Sequence, residues 1–128
     1  IPGSGRLNLA LLLGFVGNLN RFKTYKKLNA FVGIDLNRYQ SSQNKKGDSI
    51  NRRGNTNARL VEFEMIRSML RNKSRIKNHL VDYYCKLKKP PYSKHDLVAL
   101  IACANHLNRT IINLVRTNQV YDYNKTSH

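Results

Sequence analysis

Residues 93–116, SKHDLVALIACANHLNRTIINLVR, carry the pattern on which the fold turns. Leu97, Leu100, Ile101, Ala104, Leu107, Ile111, Leu114 and Val115 recur at intervals of three and four, which places them on one stripe of a helix. Ser93 is positioned to cap that helix, which is predicted to run to about Arg116. Working outward, the run Lys88-Lys89-Pro90-Pro91 ends the preceding element, because proline lacks the N–H that a helix needs. Upstream of it, Ile76, Leu80, Tyr83, Tyr84 and Leu87 share one face and predict a helix over roughly Ser74 to Leu87. A longer helix is predicted from about Asn55 to Leu70, with Leu60, Phe63, Ile66, Met69 and Leu70 inward. Thr24 caps a short helix whose apolar face holds Tyr25, Leu28, Phe31 and Val32 and which ends at Gly33. Leu7 to Val16 reads as a buried helix of about three turns. The prediction is an all-α domain of about five helices over residues 1–118, followed by a polar, frayed tail over 119–128.

Composition narrows the function. The 128 residues include 23 Lys plus Arg against 7 Asp plus Glu, a net charge of +16, while 41% of residues are hydrophobic. A chain with that much apolar content folds, and its charge repels itself unless a polyanion offsets it. Basic residues are spread along the whole chain, as on a folded surface that lies on nucleic acid. No run of 18 apolar residues is present, and Leu7–Val16 is short and lacks a basic leader, so neither a membrane span nor a signal peptide is expected. Cys85 and Cys103 lack metal or redox spacing and are expected as free thiols in a reducing cytosol. The chain starts at isoleucine and is expected to be part of a longer protein.

Between the second and third predicted helices lies RYQSSQNKKGDSINRRGNTNAR, residues 38–59, too long and too polar to serve folding. Lys45, Lys46, Arg52, Arg53 and Arg59 make it basic. Arg53-Gly54-Asn55 directly precedes a helix, which sets a guanidinium beside backbone N–H groups at a positive dipole end, a phosphate grip. Asn55 has an alternative reading as no more than a helix cap. At the start of the chain, Ile1-Pro2-Gly3-Ser4-Gly5 followed by an apolar helix has the form of half a helix-hairpin-helix. There Gly3, Gly5 and the N–H groups near Arg6 would meet a DNA phosphate. An ordinary glycine turn docking a core helix is the alternative. Ser41 and Ser42 are candidate nucleophiles, but serine needs a base or charge stabilisation. The four histidines are scattered and none has a carboxylate at telling spacing. The acids and histidines form no metal-ligand cluster either, so a self-contained enzyme is not expected.

Ile1-Pro2-Gly3-x-Gly5, Arg21-Phe22, Leu28-x-Ala30-x-x-Gly33, Tyr39-Gln40-Ser41 and Arg53-Gly54-Asn55-x-x-x-Arg59 occur in that order, before an alanine-bearing terminal helix. Together they resemble the C-terminal domain of the insertion-sequence one-ten (one-sixteen, nine-oh-two) transposases, over about residues 1 to 117. The resemblance implies a bacterial, cytoplasmic DNA recombinase in which a serine of this domain acts with metal-bound acids of a RuvC-like N-terminal domain. Mg²⁺ would belong to that other domain, with no cofactor in this one. Some members are directed by a structured guide RNA. Ser41 occupies the family's serine position, and Ser42 stands where relatives carry glycine, which makes Ser42 the runner-up. Asp35-Leu36 departs from a proline that relatives carry after the glycine equivalent to Gly33. The expected partners are DNA, a guide RNA in some systems, and further copies of the intact protein, with the last helix as a contact candidate; no membrane is expected. The isolated chain is expected to bind nucleic acid without cutting it. A non-catalytic binding module is the alternative, and a tyrosine recombinase acting through Tyr39 is disfavoured, because the surrounding arginine and histidine constellation is missing.

Overall fold

The computed structural model describes residues 3–34 and 55–124. Those residues form five α-helices: α1 (Arg6–Val16), α2 (Tyr25–Val32), α3 (Thr56–Arg71), α4 (His79–Lys88) and α5 (Asp96–Thr117), with a 3₁₀ turn at Leu19–Arg21. No strand occurs among the described residues, so the all-α prediction holds. α5 is the central element and packs against α2, α3, α4 and the 3₁₀ turn, while α1 lies on α3. By length and composition alone α5 would cross a bilayer. Its stripe of Leu100, Ile101, Ala104, Leu107 and Ile111 is instead the middle of the core, which absorbs the face that was a candidate for subunit contacts.

Local chemistry accounts for the ends. The side chains of Thr24, Asn55 and Asn78 accept from the N–H groups of Lys27, Ala58 and Leu80, capping α2, α3 and α4. Gly33 closes α2 in the left-handed conformation (φ 88°, ψ 30°) that glycine adopts without a steric cost. Two predicted starts move. α5 begins at Asp96 with His95 as its cap, because Ser93 has a positive φ of 42°. α4 begins at His79 rather than near Ser74: Arg75 and Ile76 N–H groups bond to the Asn72 carbonyl in a turn, and Ile76 stays exposed. Part of the segment expected to fray is held. The Tyr121 hydroxyl accepts from the His79 N–H, and the Tyr123 hydroxyl donates to Asp82.

The inward face of α3 is the predicted one at Phe63, Ile66 and Met69 and departs from it at Leu60. Leu60 is 57% exposed, whereas Ala58, Glu62, Met65 and Met69 are buried at i, i+4, i+7 and i+11. The acidic residue in that set hides the stripe from a hydropathy reading. Glu62 is fully buried, and among the described residues neither carboxyl oxygen has a hydrogen-bond partner; the same is true of Asn108 Oδ1 on α5. Around them runs a chain of amides. Asn108 Nδ2 donates to Asn29 Oδ1 (2.8 Å), and Asn29 Nδ2 donates to Asn105 Oδ1 (2.6 Å), stitching α2 to α5. Burial pushes the Glu62 pKa well above the ordinary carboxylate range. The Asn108 amide offsets this in part but falls short of bonding geometry at either oxygen, so burial dominates. Held protonated, Glu62 avoids burying an uncompensated charge.

Because the folded-state pKa is raised, the stability this carboxyl contributes is fully present below its unfolded value of about 4.3 and is lost as pH rises through the folded value. Glu62→Gln keeps the shape and removes the titration. The difference in Tm between variant and native chain should widen in the variant's favour from about pH 5 to about pH 8. A difference that stays constant over that window in thermal melts followed by circular dichroism would show that Glu62 is not held neutral.

Candidate nucleic-acid interface

Two described stretches flank residues 35–54, and the fold pins them together. The Asn55 N–H donates to the Phe31 carbonyl at 2.6 Å. The Arg59 guanidinium donates from Nη1 to the Gly33 carbonyl at 3.3 Å and from Nη2 to Thr56 Oγ1. Ile34, the last described residue before the gap, is buried. Arg59 is only 7% exposed, and burial lowers its pKa from the ordinary arginine value. It therefore works as a clamp on the end of α2, and Asn55 spends its side-chain oxygen on the Ala58 N–H.

The predicted site residues are not all gathered here. Ser41, Ser42, Lys45, Lys46, Arg52, Arg53 and Gly54 lie outside the described residues. Gly3, Gly5 and Arg6 sit at the start of α1, at the far end of α3. An added Cβ on Gly3 would come within 3.2 Å of Met69 Cα, and φ is +83° at Gly3 and +85° at Gly5. Gly3 is thus needed for close packing on α3. Fourteen residues of helix separate Met69 from Asn55, about 21 Å at 1.5 Å per residue, so the glycine turn and the Asn55–Arg59 corner cannot grip one phosphate.

A basic face not singled out in the sequence runs beside the corner. α2 lies antiparallel to the second half of α5: Arg116 donates to the Lys23 carbonyl, Arg109 lies 5.5 Å from the Tyr25 ring centroid, and the Asn29 amide meets Asn105 and Asn108. Arg21 donates to the Val16 carbonyl at 2.6 Å, and its guanidinium sits over the rings of Phe22 (4.5 Å) and Phe31 (4.9 Å). Arg21, Lys23, Lys26, Lys27, Arg109 and Arg116 are all exposed. No Asp or Glu occurs in 18–34 or in 97–117, so these cations are not neutralised by their own elements. The described ion pairs, Arg71–Glu64 and Lys88–Asp96, lie on α3 and at the α4–α5 junction. The usable signal was two acid-free stretches that share cations and aromatic rings, but their adjacency needs the fold.

The described residues offer no catalytic constellation of their own. No group of three His, Cys, Asp or Glu suited to a metal ion occurs among them. Cys85 and Cys103 are free, as expected, and burial pushes the Cys103 thiol up to about 12, far from a nucleophile at neutral pH. His79 stacks on Tyr123, His106 packs on Tyr83, and His95 caps α5.

Residues 1–81 match the transposase IS116/IS110/IS902 family, well over half of the 128. The chain belongs to that family. No curated protein and no solved structure matches it significantly. The matched part of this transposase domain runs from the glycine turn through α1, α2, the polar stretch and α3 to the first turn of α4, and stops short of residue 117, where the resemblance was expected to end. The family places the chain in a transposase, with DNA as the partner that implies.

The division of labour between clamp and face is measurable. Arg59→Ala should lower stability by about 1–3 kcal/mol in urea unfolding, because it removes a buried side chain and its bonds to Gly33 and Thr56. Arg109→Ala, on the exposed face, should stay within about 0.5 kcal/mol of the native chain. Equal effects would contradict the assignment.

Proposed function

We propose that this chain is the serine-bearing, DNA-binding half of a recombinase active site that is completed by acidic residues elsewhere in the intact transposase. What carries the reading is the clamped corner. Phe31–Asn55 and Gly33–Arg59 fix both roots of the segment that holds Ser41, which lies seven residues beyond Ile34 in the chain. The acid-free cationic face flanks the same corner, within about one length of α2 (~12 Å for eight residues). Together they support the reading of a phosphate backbone held beside the segment that carries Ser41.

In the proposed reaction the Ser41 oxygen attacks a DNA phosphorus, losing its proton to a base that the described residues do not supply. The P–O3′ bond breaks, and the 3′ oxygen takes a proton, leaving a phosphoserine link and a free 3′ hydroxyl. Attack of a 3′ hydroxyl on that link reverses the exchange of bonds, so no nucleotide is consumed. A divalent ion held by acids outside the described residues would stabilise charge on the phosphate oxygens. From this chain, Arg53 and the first-turn N–H groups of α3 that the Asn55 cap leaves over would steady the non-bridging oxygens, and the basic face would align the duplex. Arg59 acts at one remove, holding the corner in place. A guide RNA would find the same cationic face, since phosphate contacts carry no sequence.

The direct test uses the intact transposase with Ser41→Ala. A covalent protein–DNA adduct should form with the native protein and be lost in the variant, while Ser42→Ala retains it. An adduct that survives Ser41→Ala would rule out the assignment, and binding without any adduct in the native protein would leave the chain a binding module. Lys26→Ala, Lys27→Ala and Arg109→Ala together should flatten the log-affinity against log-salt slope on duplex DNA by up to about 2.7, at about 0.9 per phosphate contact. An unchanged slope would place the DNA on another face.

A further inference from the structure

The turn between α4 and α5 sets an aromatic ring in water among lysines. Tyr92 is 48% exposed, and Lys86 Nζ stands 5.8 Å from its ring centroid. Lys86, Lys89 and Lys94 are exposed, and no Asp or Glu occurs in 83–95. The acids that flank this stretch are engaged elsewhere. Asp82 accepts from the Tyr123 hydroxyl, and Asp96 accepts from the Tyr84 hydroxyl and pairs with Lys88. A run of lysines is ordinarily a solvated face, but an exposed ring gains nothing for folding there. The ring is nonetheless firmly mounted. The Lys94 N–H donates to the Leu87 carbonyl at 2.8 Å, and the Tyr92 and Ser93 N–H groups both donate to the Lys89 carbonyl at 3.0 Å. Ser93 takes a φ of 42°, a left-handed conformation that a residue other than glycine enters at a cost.

We propose that this turn is a second nucleic-acid site, one that takes an unpaired strand: a base stacks on Tyr92 while neighbouring phosphates meet Lys86, Lys89 and Lys94. The chemistry differs from that of the α2–α5 face. There Phe22, Tyr25 and Phe31 are half-buried with guanidinium groups laid against them, so phosphate can be met but no ring is open to a base. At the turn the cation beside the ring is an ammonium on a flexible stem, near the outer limit of cation–π contact, and a base can take the ring. A duplex keeps its bases paired and stacked on one another and can use only the lysines, whereas an unpaired strand uses lysines and ring together. An acidic protein segment would satisfy the lysines and leave the ring idle. The two sites are also well apart, because thirteen residues of α5 separate Asp96 from Arg109, about 20 Å. RNA and DNA share the chemistry that the turn reads, a π face on every base and a phosphate at every step. The site is independent of Ser41, and its failure would leave the proposal for that residue untouched.

Fluorescence anisotropy on the purified chain, with labelled oligo(dT), oligo(rU) and a duplex, each about ten nucleotides long, tests this. Tyr92→Ala should weaken binding of at least one unpaired strand by about five-fold or more, the loss of one stacked base, with duplex affinity changed by less than about two-fold and Tm retained. Tyr92→Phe keeps the ring and should bind as the native chain does. Lys89→Ala with Lys94→Ala should flatten the salt slope for the unpaired strand by up to about 1.4, at about 0.7 per phosphate. A loss confined to oligo(rU) would identify the strand as RNA, and one confined to oligo(dT) as DNA. Unpaired-strand affinity that survives Tyr92→Ala, or an equal loss on strand and duplex, would overturn the proposal. So would a native chain that binds neither unpaired strand, or a Tyr92→Phe variant as weak as Tyr92→Ala.

Discussion

The Asn55 N–H reaches the Phe31 carbonyl at 2.6 Å, and the Arg59 guanidinium reaches the next-but-one carbonyl, that of Gly33. These bonds join the end of α2 to the start of α3 across 20 intervening residues, 35–54. They are worth having because both partners are otherwise orphans. The last carbonyls of α2 have no N–H donor within their own helix, and the Arg59 charge is largely removed from water. Once that corner is closed, α3 can lie on α5, and α1 has a surface to lie on. The polar stretch then begins and ends at one place on the molecule.

The second constraint is the polar seam inside the core. Asn29, Asn105, Asn108 and Glu62 sit where apolar residues would give the same packing with less electrostatic cost. The bonds among the three asparagines reach from α2 to α5 and fix the register of the two helices, which in turn sets Tyr25 by Arg109 and Lys23 by Arg116. The cationic face is thus assembled by the buried amides beneath it. Its aromatic rings are partly buried under Arg21 and Arg109, so guanidinium planes are stacked in place and lose less freedom when they meet phosphate.

Much of the fold was legible because period and punctuation agreed. The α5 stripe, the Thr24 cap and the Gly33 stop are each readable from residue type alone, and the structure uses each as read, while Asn55 takes its alternative reading as a helix cap. The failures have a common cause. Glu62 and Arg59 are charged residues on buried positions, so hydropathy turned α3 to put Leu60 inward. Likewise Asn78 caps the start of α4, and a pattern that ran through it from Ser74 lengthened that helix at its start. For the site, charge near a loop was visible but distance was not. Gly3 and Arg59 are both near basic sequence, and the length of α3 separates them. The Lys23–Lys27 and Arg109–Arg116 clusters are 82 residues apart in sequence, and only the antiparallel pairing of α2 with α5 joins them.

The proposed role asks a small basic domain to hold a phosphate backbone beside the segment that carries Ser41, and the clamped corner and the cationic face are what support that reading. The most direct test is a map of where a duplex lies on the folded chain. In a ¹H–¹⁵N titration with a short DNA duplex, amide shifts should concentrate in Arg21–Ile34, in Asn55–Arg59 and in Asn105–Arg116, leaving α4 and residues 119–124 nearly unmoved. Shifts centred on α4 and the tail, with α2 and the second half of α5 silent, would contradict the account.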